Sequence, residues 1–184
     1  MNQTRSYAYD ARGYLLSEDL PEITGNSGLV TYKVDALGLP REIHNGLNLL
    51  NYNYDTAARL LNVKKGSTTW SSFTYASTNS GSNRQKGKLV QAFRHNEPAA
   101  EDVNIFETYE YSGLQGSMSR KVTKIQYPDQ IGAARYGATF EQTFAYDKRG
   151  LMTSQTLPKC ITTPESGNTP CSNDGNDSAG PIHS

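Results

Sequence analysis

The chain has little of what marks most functional classes. Its two cysteines, Cys160 and Cys171, both lie near its C-terminal end, so no disulfide framework can hold the main body together. Apolar runs are short, and none approaches the roughly 18 residues of a membrane-spanning helix. The opening residues Met1-Asn2-Gln3-Thr4-Arg5 lack the apolar stretch of a signal peptide. An excess of one charge is missing too: 18 Lys and Arg balance 18 Asp and Glu. That balance removes the electrostatic case for a nucleic-acid partner, which needs a basic face.

Catalytic signatures are equally sparse. No Gly-x-Ser-x-Gly elbow, His-Glu-x-x-His helix, Walker loop or dinucleotide fingerprint occurs. The three histidines are His44, His95 and His183. His44 and His95 each follow a glycine turn by a few residues, where an exposed loop-end side chain is the ordinary expectation. Two cysteines and one distant histidine make a poor metal set. The sequence therefore predicts no catalytic residue, no metal, no cofactor and no enzymatic activity.

What is present is a repeat. Two aromatics at i and i+2 are followed by an acidic residue and, three positions later, a glycine. The motif reads Tyr7-Ala8-Tyr9-Asp10-Ala11-Arg12-Gly13, Tyr32-Lys33-Val34-Asp35-Ala36-Leu37-Gly38, Tyr52-Asn53-Tyr54-Asp55-Thr56-Ala57-Ala58 and Phe144-Ala145-Tyr146-Asp147-Lys148-Arg149-Gly150. Looser copies stand at Phe73-Thr74-Tyr75 and Tyr109-Glu110-Tyr111-Ser112-Gly113. Nine of the twelve tyrosines (Tyr7, Tyr9, Tyr32, Tyr52, Tyr54, Tyr75, Tyr109, Tyr111 and Tyr146) occupy its aromatic slots.

Side chains at i and i+2 share one face of a strand. The aspartates Asp10, Asp35, Asp55 and Asp147 can accept hydrogen bonds from backbone amides a few residues on, as in an Asx-turn. The glycines Gly13, Gly38 and Gly150 supply the positive φ that a short bulged hairpin loop requires. Apolar–polar alternation resumes after each turn, so one unit is strand, turn, strand. Ala58 stands where glycine is expected, which predicts a different turn type there. In the fifth unit Gly113 and Gly116 are both candidates for the turn glycine.

The residue before the acidic position falls at 9, 34, 54, 75, 111 and 146, at intervals of 25, 20, 21, 36 and 35. About 20 residues accommodate two short strands and two connections. The longer intervals hold insertions, at 76–86 (rich in Ser, Asn, Thr and Gly) and 128–137. Six hairpins make about twelve strands, and open twisted sheets of more than about ten strands tend to curl. The expected fold is all-β: tandem antiparallel hairpins in one curved open sheet over residues 1–157. Its two free edges invite further pairing or edge-to-edge oligomers.

Residues 158–184 are dominated by Pro, Gly, Ser, Thr, Asn and Asp and contain no aromatic. They predict a flexible tail. Cys160 and Cys171 there either close a small loop as a disulfide in an oxidising compartment or remain two thiols.

Tyr-x-Tyr-Asp-x-x-Gly-x-Leu recurring at about 20 residues resembles the YD repeat of the RHS (rearrangement hotspot) family, related to toxin-complex shell subunits and teneurin YD shells. The likeness covers residues 5 to about 157. It implies a segment of a spiral β-shell that encloses a toxin or effector polypeptide, in a secreted or bacterial cell-surface protein whose partners are further repeats or that cargo. The Asp-Pro-containing self-cleavage segment that usually closes the bacterial shell is missing. Pro128-Asp129 has the reverse order, and no toxin domain follows the repeats. The alternative expectation is a carbohydrate- or cell-surface-binding module, with exposed tyrosine rows stacking on sugar rings.

Overall fold

The computed structural model of the chain describes residues 4–20, 28–46, 48–80, 83–96, 102–126 and 138–161. Among them the ordered elements are strands and one short 3-10 turn, Leu114–Gly116. The strands are β1 (Ser6–Tyr9), β2 (Leu15–Asp19), β3 (Leu29–Val34), β4 (Pro40–His44), β5 (Leu49–Tyr54), β6 (Leu60–Lys65), β7 (Thr68–Tyr75), β8 (Leu89–Asn96), β9 (Val103–Tyr111), β10 (Met118–Gln126), β11 (Thr139–Tyr146), β12 (Met152–Gln155) and β13 (Lys159–Cys160). Hydrogen-bonded neighbours follow chain order from β1 to β12. The protein is all-β, an open, unclosed sheet of six tandem antiparallel hairpins. No helix among the described residues is long and apolar enough to cross a membrane.

The chain divides into two compact units, residues 1–72 and 73–184. In the first, the pairings Tyr7↔Glu18, Glu18↔Val30, Tyr32↔Ile43, Ile43↔Leu50 and Tyr52↔Val63 carry the aromatic slots onto one face with Val30, Ile43, Leu50 and Val63. The opposite face is polar. There Lys33 pairs Glu42 at 2.7 Å, and the Asn53 amide donates to Asn62 Oδ1 at 2.8 Å. Directly opposed residues share a face, so this segregation follows from the period-2 sequence pattern.

In the second unit, the ladder Ala92↔Glu107↔Thr123↔Phe140 lies on the same face as Tyr109↔Lys121↔Gln142. Phe93 and Phe106 stack on the other face with centroids 4.9 Å apart. The fold continues past residue 157: β13 pairs β11 through Phe140↔Cys160, and the Ile161 amide donates to the Thr139 carbonyl at 2.8 Å. β12 and β13 thus serve one side of β11 in turn, with Pro158, which has no amide hydrogen to donate, in the gap between them. The remainder of the expected tail, Cys171 and His183 included, lies outside the described residues.

No large side chain is fully buried, and Val30 and Ala76 are the only buried apolar residues among those described. Such a sheet has no layer of core beneath it. Its stabilisation comes from backbone ladders and from contacts between side chains of neighbouring strands.

A register shift falls just before each aspartate turn, at Ala8/Tyr9, Lys33/Val34, Asn53/Tyr54 and Ala145/Tyr146. The third turn does not differ in type, contrary to what Ala58 led the sequence to predict. Ala58 takes φ 61°, and its amide donates to the Asp55 carbonyl at 3.0 Å, as the glycines do in the sister turns. The modest cost of a left-handed alanine is outweighed by the bonds that close the turn. Ala58→Gly should therefore stabilise the protein, by about 0.5–1 kcal/mol. Gly38→Ala should cost more than Gly13→Ala. A Cβ on Gly38 would stand 2.6 Å from the Tyr14 ring, whereas one on Gly13 meets nothing within 4 Å. Denaturant unfolding of the three variants checks the order.

Candidate functional site

The feature repeated most faithfully is the turn. In each of four hairpins one aspartate oxygen, Oδ1, accepts two backbone amides, those of the residues two and four positions on. Asp10 takes Arg12 and Tyr14 at 2.8 and 2.9 Å, and Asp35 takes Leu37 and Leu39 at 2.8 and 3.0 Å. Asp55 takes Ala57 and Arg59, both at 2.9 Å, and Asp147 takes Arg149 and Leu151 at 2.8 and 2.9 Å. The aspartate backbone is engaged as well. Its amide donates to the carbonyl four residues on, and its carbonyl accepts from the residue at +3.

The second oxygen, Oδ2, takes an arginine in every case: Arg12, Arg41, Arg59 and Arg149. These arginines stand two, six, four and two positions after their aspartates, so chain spacing varies while the contact does not. The sequence reading overlooked them. The available signal was an arginine within six residues of each motif aspartate.

All four carboxyls are held below the ordinary aspartate value of 3.8. For Asp10, Asp55 and Asp147 the largest cause is the amide at +4, of Tyr14, Arg59 and Leu151 respectively. For Asp35 burial pushes upward, and the Leu39 amide, Arg41 and the Leu37 amide together outweigh it.

The fifth unit has Ser112 in the aspartate slot, with no carboxylate in its turn, and moves the turn by one residue. There the Gly113 amide donates to the Ser117 carbonyl and the Gly116 amide to the Gly113 carbonyl. Gln115 and Gly116 both take a positive φ there, at 60° and 79°. Gly116 also sits so close to Arg84 and Lys88 that a Cβ would fall 2.4 Å from the Arg84 carbonyl oxygen.

Four tyrosines, Tyr32, Tyr54, Tyr111 and Tyr146, reach from their strand to the one before it. In the second unit Tyr111 donates to the Leu89 carbonyl at 2.6 Å and Tyr146 to the Met118 carbonyl at 2.8 Å. Each reaches the first or second residue after the preceding turn. In the first unit Tyr54 lies under the Arg41 guanidinium, 4.9 Å from its ring centroid. Tyr32 donates to Glu18, and burial with that carboxylate beside it pushes the phenol up to about 12. Burial also raises Tyr52. Tyr109 donates to Glu107 at 2.7 Å, and Lys121 pairs the same carboxylate at 2.6 Å. Tyr7 and Tyr9, on the outer strand β1, differ from the rest in being 49% and 59% exposed.

Two basic side chains are engaged as well: Lys65 lies over the Trp70 ring, and Arg120 bridges Glu110 and Glu141. His44 is exposed as expected. His95 is not, because its side chain is 11% exposed and its Nδ1 is 2.8 Å from Asn104 Oδ1. Cys160 lies on β13, and Cys171, its expected partner, falls outside the described residues. Among the described residues no three His, Cys, Asp or Glu side chains gather closely enough to hold a metal ion.

One concavity in the second unit is not a turn: an open cleft of about 410 Å³ where the insertion after Tyr75 meets β8 and β9. No family model matches the chain, and no curated protein shows significant similarity to it.

The turn geometry sets an acid dependence. A carboxyl held below its unfolded value contributes stability above that value and loses it as pH falls through the folded one. Unfolding free energy should thus be nearly flat from neutrality to about pH 5 and drop below about pH 4. Asp55→Asn, which keeps an acceptor oxygen and removes the titration, should flatten part of that drop and cost less at pH 7 than Asp55→Ala. Urea unfolding at a series of pH values checks both.

Proposed function

We propose that this chain is a structural, non-catalytic segment of a β-shell of the RHS/YD-repeat type, one that encloses a toxin or effector polypeptide in a secreted or cell-surface protein. The observation that carries the reading is the contrast between the first aromatic strand and the later ones. Tyr111 and Tyr146 bond to the strand that precedes them, while Tyr7 and Tyr9 stand exposed on β1. Among the described residues no hairpin lies against the aromatic slots of β1. The natural occupant is another hairpin of the same kind, from the same polypeptide or another copy.

The side chains support a scaffold over a row of sugar platforms. Hydroxyls of Tyr32, Tyr109, Tyr111 and Tyr146 are committed to neighbouring strands or to Glu107. The motif aspartates each serve two amides and an arginine, which leaves no carboxylate pair for acid–base chemistry in the turns. A wall of polar side chains opposite the aromatic face, such as Lys33, Glu42, Asn51 and Lys64, suits a surface against which an unfolded polypeptide does not stick.

Size-exclusion chromatography with light scattering on the 184-residue chain tests this. Association should rise with concentration, and Tyr7→Lys with Tyr9→Lys should abolish it without changing the circular dichroism, because a charge on an edge strand opposes pairing. A folded wild-type chain that stays monomeric throughout would count against the reading.

A further inference from the structure

We infer that the cleft beside the insertion after Tyr75 binds a neutral sugar ring. This site is independent of the shell reading above, since it lies wholly within residues 75–109 and arises from the segment that interrupts the repeat spacing.

The described residues of the insertion are held at its base and further out. The Ala76 amide donates to the Lys88 carbonyl at 2.9 Å, and the Gly87 amide donates back to the Ala76 carbonyl at 2.7 Å. Further out, the Lys86 amide donates to Asn79 Oδ1 at 3.0 Å and the Asn83 amide to the Ser80 carbonyl at 2.9 Å. Ala76 itself is 9% exposed. A long polar insertion fixed this way forms a standing wall, and a preformed wall avoids the ordering cost that a floppy loop would add to binding.

The volume, about 410 Å³, falls within the range of roughly 300–1,000 Å³ usual for small-molecule sites. The lining selects the class of ligand. It includes two tyrosines, Tyr75 and Tyr109, and no charged side chain. Ser77, Thr78 and Gln85 contribute from the insertion, and Gln91 and Thr108 from the strands. Hydroxyls and amides act as both donors and acceptors, which matches a ring bearing several hydroxyl groups. A phosphate, carboxylate or ammonium ligand would find no counter-charge among these residues. The Tyr109 hydroxyl is occupied by Glu107 and Lys121 Nζ stands 5.9 Å from its ring centroid, so what the two tyrosines bring to the cleft is ring surface rather than hydroxyls, and the apolar face of a pyranose stacks on such a surface.

Amide chemical-shift mapping tests the assignment, with the methyl glycosides of glucose, galactose, mannose and N-acetylglucosamine as probes and glucuronic acid as the anionic control. At least one neutral glycoside should shift the amides of Ser77, Thr78, Gln85 and Tyr109 saturably while leaving the turn amide of Tyr14 in place. Thr78→Ala with Gln85→Ala removes two hydrogen-bonding groups from the wall and should weaken that binding by about tenfold or more, with an unchanged amide spectrum away from the cleft. The inference is overturned by any of three results: no saturable shift with a neutral glycoside, shifts centred elsewhere, or binding of the glucuronate alone.

Discussion

Four of the six hairpins depend on one carboxylate oxygen accepting two backbone amides across the turn. Those bonds fix where the chain reverses, and the reversal fixes the register of the two strands that follow from it. Register decides which face each side chain takes, since a slip of one residue would turn every tyrosine to the other side. The bulge before each aspartate and the left-handed residue at +3 belong to the same device. Arginine on the second oxygen adds an exposed ion pair, worth little alone. Its position varies from turn to turn, whereas the two amide bonds do not.

A sheet with almost nothing fully buried needs another source of cohesion, and the aromatic slots provide it. Several slots place a tyrosine against the adjoining strand, as Tyr146 does against Met118 and Tyr54 against Arg41. Charge pairs between strands add to it: Arg120 ties together Glu110 and Glu141, and Lys121 meets Glu107 beside Tyr109. Cohesion of this kind is local and repeats from hairpin to hairpin, so stability approximates a sum over neighbours. It also leaves the first aromatic strand with unfilled contacts, which is why Tyr7 and Tyr9 are the informative exceptions.

The hairpins themselves were legible because their determinants are short-range: the i, i+2 aromatics, the acidic residue and the glycine lie within seven residues of one another. Ala58 misled because propensity at one position was weighed without the bonds that surround it. The arginines on Oδ2 were missed because three different spacings converge on one contact, which a fixed-offset pattern cannot capture. The fifth turn is offset by a residue: Ser112 stands in the aspartate slot, yet the backbone bonds that place the reversal start at Gly113. His95 was misplaced for another reason. Its exposure depends on Asn104, a partner nine residues away. β13 went unread since two residues after a proline carry no periodicity, and only the free side of β11 explains their pairing. The cleft was not legible either: the insertion was visible as an interruption, but not the wall it builds.

The central claim concerns the amides held by the aspartates, and native-state hydrogen exchange reads them individually. The amides of Tyr14, Leu39, Arg59 and Leu151 have the carboxylate as their acceptor. They should exchange as slowly as amides inside the flanking strands at pH 7, and Asp55→Ala should release Arg59 while leaving Tyr14 and Leu151 protected. If these four amides instead exchange at the rate of an open loop in the wild-type protein, the carboxylate does not hold the turn, and the account of register built on it fails.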